Sequence, residues 1–259
     1  MNSDPRAARA DPLTITFVDA NYLPLLELWL PRLAELGVER VKVFCLDTTT
    51  LAWCRSRGVA AAQVEWAGNL RDLWAQRIRV FSELLATGQE FIHSDIDAIW
   101  IRNPLLTGSA VGRDEDLVFS QGTVWPPDVH AQWGFVLCCG WFRARPTLAA
   151  RAFFQGLELD VRETGDDQIS VNRLLNNLGA QWSHGRTGEY QLGFRERVVQ
   201  CWTQTVRGET TAGPLSIALL PQREFQRLPE DSEHAIVKHY LTPKSCAQKL
   251  HALREYGLI

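Results

Sequence analysis

The chain has 259 residues, of which 46% are hydrophobic and 22% charged, and its formal net charge is −3. That is enough apolar material for a full core, in one large α/β domain or two small ones, and the charge excludes the basic face a nucleic-acid binder normally carries. Residues 1–12 (MNSDPRAARADP) lack the apolar stretch of a signal peptide, and no apolar run reaches the roughly 18 residues that span a bilayer.

Strand and helix patterns alternate over the first hundred residues. Leu13 to Val18 reads as a strand. Tyr22 to Leu36 carries apolar residues at helical spacing and stops at Gly37. Val41 to Leu46 is a second strand, Leu51 to Arg57 a short helix, and Ala62 to Trp66 a third strand. Leu70 to Ala86 is a long amphipathic helix, and Glu90 to Asp95 is the fourth strand. This rhythm predicts right-handed βαβ units and a parallel sheet. After Pro104 it changes. A short strand at Leu117 to Ser120 precedes a long β-like run, Trp133 to Arg143. Helices follow at Thr147 to Leu157 and Asp167 to Leu178. Strands at Leu215 to Leu220 and His234 to Tyr240 precede a last helix, Pro243 to Tyr256. Residues 181–232, rich in Arg, Gly, Gln and Thr, suggest a mobile lid on composition alone.

We therefore expect a flexible segment over 1–12 and one domain over 13–259. Its first part (13–115) would bind a nucleotide, and its second (116–259) is mixed. The six cysteines (45, 54, 138, 139, 201, 246) have no CxxC and no metal-ligand spacing. They read as reduced, buried thiols, which suits a cytoplasmic protein or one held peripherally at a membrane. Cys138 and Cys139 fall on opposite faces of their strand, so they are poor joint metal ligands.

The most informative stretch is Phe91 to Asp97. An apolar strand ends in Asp95 and Asp97, spaced i, i+2, at the sheet edge where α/β proteins bind ligands. On an extended segment the two side chains point the same way. Two converging carboxylates need something positive between them, and a divalent cation carrying a diphosphate fits. Two enzyme classes use such a pair: a glycosyltransferase holding a nucleotide-sugar through a metal, and a phosphatase of the haloacid dehalogenase type. The phosphatase places its nucleophilic Asp after the first strand and needs a later basic residue, usually Lys. Here three strands precede Asp95, and no Lys lies between positions 43 and 237.

FIHSDIDAIWIRNP resembles the signature of nucleotide-diphospho-sugar transferases. These include plant cell-wall arabinosyl- and xylosyltransferases and bacterial relatives. Upstream, TFVDANYLPLLELWLPRLAELGV, FCLDTTT and RDLWAQRIRVFSELLATG are similar to that family's earlier blocks. Downstream, DLVFSQGTVWPP, GFVLCCGWFRARPT and GDDQISVNRLL follow in order, with a weaker match at AIVKHYLTPKS. The resemblance implies an α/β fold of the GT-A, Rossmann-like type, with a central mixed sheet and helices on both faces. It implies transfer of a hexosyl or pentosyl group from a nucleoside-diphosphate sugar, a UDP-sugar first. The acceptor would be a hydroxyl on a carbohydrate, glycolipid, protein or small molecule, and residues 116–259 would hold it and the donor sugar.

The same resemblance implies the site. Asp95 and Asp97 would bind Mn²⁺ or Mg²⁺ and the nucleotide, with His239 completing the metal set. Lys244 would reach the departing diphosphate as a point charge, although the Gly usual between such a His and Lys is missing. Asp167 would hold sugar hydroxyls. The carbonyl of Gln168 would lie beneath the anomeric carbon, so retention by front-side substitution is expected. Asp166 would cap the helix. Arg77 would lie near the diphosphate or sugar; as a plain helix residue it would share a solvated face with Arg71 and Arg79. Asp19 and Ala20, with Thr48 behind them, would meet the base and ribose. Gly140 would let the backbone approach the sugar, or mark a β-bulge. Of Trp125, Trp133 and Trp141, only Trp125 is a good candidate for an acceptor contact, the others being expected in the core. The competing reading is a catalytically silent nucleotide-sugar or carbohydrate-binding protein. The presence of Asp95, Asp97, Asp167, Gln168 and His239 together favours turnover.

Overall fold

The computed structural model describes residues 11–111, 113–183, 188–194, 196–230, 233–241 and 245–259. Four βαβ-type strands open the chain. They are β1 (Leu13–Val18), β2 (Val41–Cys45), β3 (Ala61–Gln63) and β4 (Phe91–Ser94), joined by α1 (Leu23–Glu35), α2 (Thr48–Ser56) and α3 (Leu70–Ala86). Then come β5 (Ile99–Trp100), β6 (Leu117–Gln121), α4 (Pro127–Trp133), β7 (Leu137–Ala144), α5 (Leu148–Thr164) and α6 (Asp167–Asn177). The rest is β8 (Ala180–Ser183), β9 (Glu189–Phe194), β10 (Arg197–Trp202), β11 (Val206–Thr210), β12 (Ser216–Leu219), β13 (Phe225–Gln226), β14 (Val237–Lys238) and α7 (Cys246–Glu255).

One nine-stranded sheet runs β3-β2-β1-β4-β7-β6-β12-β11-β8. Its first four strands are parallel, as expected, and β7 then enters antiparallel to both β4 and β6. The two expected halves of the chain thus share a single mixed sheet. Side chains alternate across it, as the strand period requires. Ile15, Phe44, Phe91 and Phe142 face one core with α3, α5 and α6. Val43, Ile92 and Trp141 face the other, with α1, α2 and α7. Helices therefore cover both faces, and one domain results.

Four expectations change. The β-like run from Trp133 begins only at Leu137, because Pro127 opens α4 and Gly134, with φ of 78°, closes it. Residues 181–232 are largely strand where they are described, in the β9–β10 hairpin and in β11, β12 and β13. The Thr147–Leu157 helix extends to Thr164, since Gly165 (φ 69°) is its stop. The strand expected over His234–Tyr240 shrinks to Val237–Lys238 in a small sheet with β5 and β13.

The first core is aromatic at its centre. Phe81 of α3 stacks on Phe91 at 5.1 Å and meets Phe142 and Phe154 edge-on at 5.2 and 5.8 Å. Phe154 is fully buried and ties α5 to this cluster. Phe154→Ala leaves a cavity that rigid neighbours cannot fill. We expect it to lower stability by about 3–5 kcal/mol, measured by urea denaturation; a loss below about 1 kcal/mol would mean the cluster is not the hub described.

Candidate active site

β4 stops at Ser94, and the chain turns at once: the Ala98 N–H bonds to the Asp95 carbonyl at 3.0 Å. Asp95 and Asp97 therefore converge by a turn and not, as expected, by lying two apart on an extended strand. The convergence itself holds. The ring nitrogen Nε2 of His239 lies 3.7 Å from Asp95 Oδ2 and 3.4 Å from Asp97 Oδ1. One ligand atom from each of the three residues falls within 4.8 Å of the others. Two hard carboxylates and one imidazole, mostly shielded from water, suit Mn²⁺ or Mg²⁺.

β7 makes room for this cluster. Its register against β6 jumps between Phe119 and Ser120, so residues 139–141 bulge out of the ladder. Gly140 lies there. A Cβ on it would sit 2.0 Å from His239 Cε1 and 2.9 Å from Asp95 Oδ2. The close approach that Gly140 permits is thus to the imidazole and the carboxylate.

Each ligand has a partner behind it. Arg77 of α3 is only 4% exposed, which rules out the solvated helix face. Its Nη1 donates to Asp95 Oδ1 at 3.4 Å, and its Nη2 lies 3.2 Å from Asp167 Oδ2. Nη2 also donates to the Cys139 carbonyl at 3.2 Å, to which buried His93 is bonded as well. Lys249 of α7 donates to Asp97 Oδ2. Burial alone would raise the Asp97 carboxyl, but His239 and Lys249 hold it well below the usual carboxylate range. Burial and Arg77 push His93 far down, so it is neutral. Burial and Arg227 lower His239, yet Asp97 outweighs them and the balance is above the usual histidine value. Burial also raises the Cys138 thiol, but Arg227, His239 and the Gly140 N–H bring it down to about 7.

Asp166 caps α6 by accepting from the Ile169 N–H at 2.9 Å, which leaves Asp167 free to point inward. Asp167 Oδ2 is buried and makes no aligned hydrogen bond. Next to it, Gln168 Nε2 donates to the Trp125 carbonyl at 2.7 Å. Trp125 is 53% exposed, whereas Trp133 and Trp141 are buried. Asp19 and Ala20 lie beyond β1. The Ala20 N–H bonds to the Asp47 carboxylate at 2.6 Å, and Asp47 also caps α2, which begins at Thr48. Tyr22, just after them, has its phenol raised by burial and by Asp97, Asp19 and Asp95. Lys244 lies outside the described residues.

A profile of the nucleotide-diphospho-sugar transferase family matches residues 36–253. The chain belongs to that family. Arabinosyltransferase RRA2 of Arabidopsis thaliana is 23% identical over 163 residues, covering 52% of this chain and 37% of that protein. Arabinosyltransferase XEG113 of the same plant is 23% identical over 155 residues, covering 54% of this chain and 24% of that protein. The chain thus matches well under half the length of these curated relatives. The galactosyltransferase LgtC, crystallised with donor and acceptor sugar analogues, aligns over 95% of this chain and 94% of its own, with a TM-score of 0.54 at 14% identity. That likeness is one of fold, and it is the GT-A fold.

Two members of this family member's site escaped the sequence reading. His93 lies on β4, two residues before Asp95, so the period of two could have flagged it. Lys249 had no local signal beyond being one of four lysines.

The Asp167 carboxyl rises from 3.8 to about 6, mainly through burial and against the pull of Arg77. A raised carboxyl makes the native state hold its proton longer than the unfolded chain, so stability falls as pH climbs from about 4 to about 6. Asp167→Asn removes that loss. We expect wild-type stability relative to the variant to drop by about 2 kcal/mol over this window, read from urea denaturation at each pH. Parallel profiles would show that Asp167 does not titrate as described.

Proposed function

We propose that this chain is a divalent-metal-dependent glycosyltransferase. It moves a sugar from a nucleoside-diphosphate donor, a UDP-sugar first, to a hydroxyl acceptor, with retention at the anomeric carbon. The observation that carries the reading is the juxtaposition of a three-residue cluster, Asp95, Asp97 and His239, with a buried Arg77–Asp167 ion pair. One part suits a diphosphate and the other a sugar.

A divalent cation on Asp95, Asp97 and His239 would neutralise charge building up on the departing diphosphate. The remaining work falls to side chains. Arg77 and Lys249 hold the two aspartates in register and add positive charge on the side where the diphosphate leaves. Asp167, oriented by Arg77, accepts a hydroxyl of the donor sugar. Its pairing with Arg77 suits that role better than attack on carbon. Gln168 has its amide nitrogen engaged by the Trp125 carbonyl, which orients the amide and turns its own oxygen to the other side. An oxygen of that kind stabilises positive charge at the anomeric carbon while the acceptor enters on the side the diphosphate leaves. The nucleoside would rest against Asp19 and Ala20, beyond the end of β1. A cytoplasmic setting belongs to this reading. It is supported by six cysteines that form no disulfide. Among the described residues no helix is long and apolar enough to cross a membrane.

The test is release of nucleoside diphosphate by purified protein from UDP-, GDP- and CDP-sugars, with chelator and with Mn²⁺ restored. We expect turnover only with the cation, and a loss of at least about 100-fold in kcat for Asp97→Asn. Full metal-dependent turnover by that variant would overturn the metal assignment. Donor-induced thermal stabilisation without any turnover would make the chain a binding protein. Product configuration read by NMR decides retention.

A further inference from the structure

Each member of the metal cluster needs a partner that fixes its ligand atom. Asp95 has Arg77, Asp97 has Lys249, and behind His239 stands Cys138. The backbone of His239 is pinned on both sides, its N–H bonded to the Gln226 carbonyl at 2.8 Å and its carbonyl accepting Arg227 Nη1 at 2.6 Å. The imidazole rests on Gly140, where an added Cβ would lie 2.0 Å from Cε1 and 2.5 Å from Nδ1. Translation of the ring is blocked. Two freedoms remain: a half-turn of the ring and the choice of tautomer. Both decide whether a lone pair faces Asp95 and Asp97.

The only described side chain given a contact with Nδ1 is Cys138, whose Sγ lies 3.9 Å away. It is 1% exposed, and the Gly140 N–H donates to the same sulfur at 3.4 Å. That N–H fixes where the sulfur sits and leaves it a further lone pair. A ring nitrogen opposite a sulfur acceptor keeps its proton, so a cation placed between the far nitrogen and the carboxylates displaces only the Nε2 proton and meets that lone pair.

We propose that Cys138 is a positioning residue for the metal site: it accepts the Nδ1 proton of His239 and so presents Nε2 to a divalent cation held with Asp95 and Asp97. This rests on the metal reading above. Metal-bound histidines commonly need such an outer partner, and losing it costs about 10- to 100-fold in metal affinity. A sulfur in place of the usual carboxylate or carbonyl is what this chain supplies.

The test is Mn²⁺ binding by calorimetry at pH 8, without donor or turnover. Cys138→Ala should weaken binding by about 10- to 100-fold. Cys138→Ser, which keeps an acceptor on a shorter bond, should fall between the variant and wild type. Melting of the metal-free proteins should stay close to wild type in both. Ring ¹⁵N NMR of Mg²⁺-bound wild type, which needs no variant, should show His239 protonated on Nδ1 with Nε2 on the cation; Cys138→Ala should lose that preference. Wild-type affinity in Cys138→Ala, or an Nε2-protonated ring in Mg²⁺-bound wild type, overturns the proposal while leaving the metal site intact. Wild-type protein that binds no Mn²⁺ sinks the metal reading and this role with it.

Discussion

A buried cation between two aspartates governs the geometry of this site. Arg77 projects from α3 into a space almost closed to water and meets Asp95 at the end of β4 and Asp167 at the start of α6. A guanidinium cannot shed its charge, so its burial demands anionic partners. Equally, Asp95, Asp97 and Asp167 could not be gathered in a poorly solvated space without compensating charge. Arg77 answers two of them and Lys249 the third. The turn after β4, the inward tilt of Asp167 and the docking of α7 are therefore parts of one electrostatic solution. Removing one partner of such a buried pair commonly costs about 3–5 kcal/mol, because the other is left uncompensated.

That solution is available because of how the sheet is built. Ligands of α/β proteins gather beyond the carboxyl ends of the strands, where the topology switches. Here the switch is the antiparallel entry of β7 beside β4. It brings the first half of β7 to the end of β4 where Asp95 emerges, with Ser94 opposite Trp141. The bulge that frees residues 139–141 from β6 then gives Gly140 a surface on which His239 can rest. An ordinary ladder with a side chain at 140 would push the imidazole off the carboxylates. The register defect and the missing Cβ thus serve one purpose.

The sequence was legible where one element decides the outcome. The βαβ rhythm predicted β1 to β4 and the helices between them, because amphipathic periodicity is local. Asp95, Asp97, Asp167 and His239 were found by motif and resemblance, and they do meet within one region. What could not be read depended on contacts between remote segments. Arg77 was singled out by resemblance, but its ion pairs were not: by pattern it looks like any helix arginine until α3 is laid against β4 and α6. Gly140 was assigned to a sugar because nothing in CCGWF announces that an imidazole lies above it. The turn at Asp95–Ala98 was invisible because Ile96 and Ala98 continue the apolar pattern of a strand. The short helix ending at Trp133 was hidden for a similar reason: its apolar residues merge with those of β7, and only the flanking Pro127 and Gly134 set its limits.

The origin of the ligands has a thermodynamic consequence. Asp95 and Asp97 come from the middle of the chain, whereas His239 and Lys249 come from its last segment, anchored by Leu253 in the core beside α1. In the unfolded chain these groups are far apart and form no cluster. Any cation that binds all three ligands therefore binds the native state alone and stabilises it in proportion to its affinity. The same contact runs the other way. The lysine that steadies Asp97 arrives only when α7 is docked, so the charge balance of the cluster includes the C-terminal helix. Docking of that helix and occupancy of the cluster are then linked equilibria, joined through the two oxygens of a single carboxylate: Oδ1 faces His239 and Oδ2 faces Lys249.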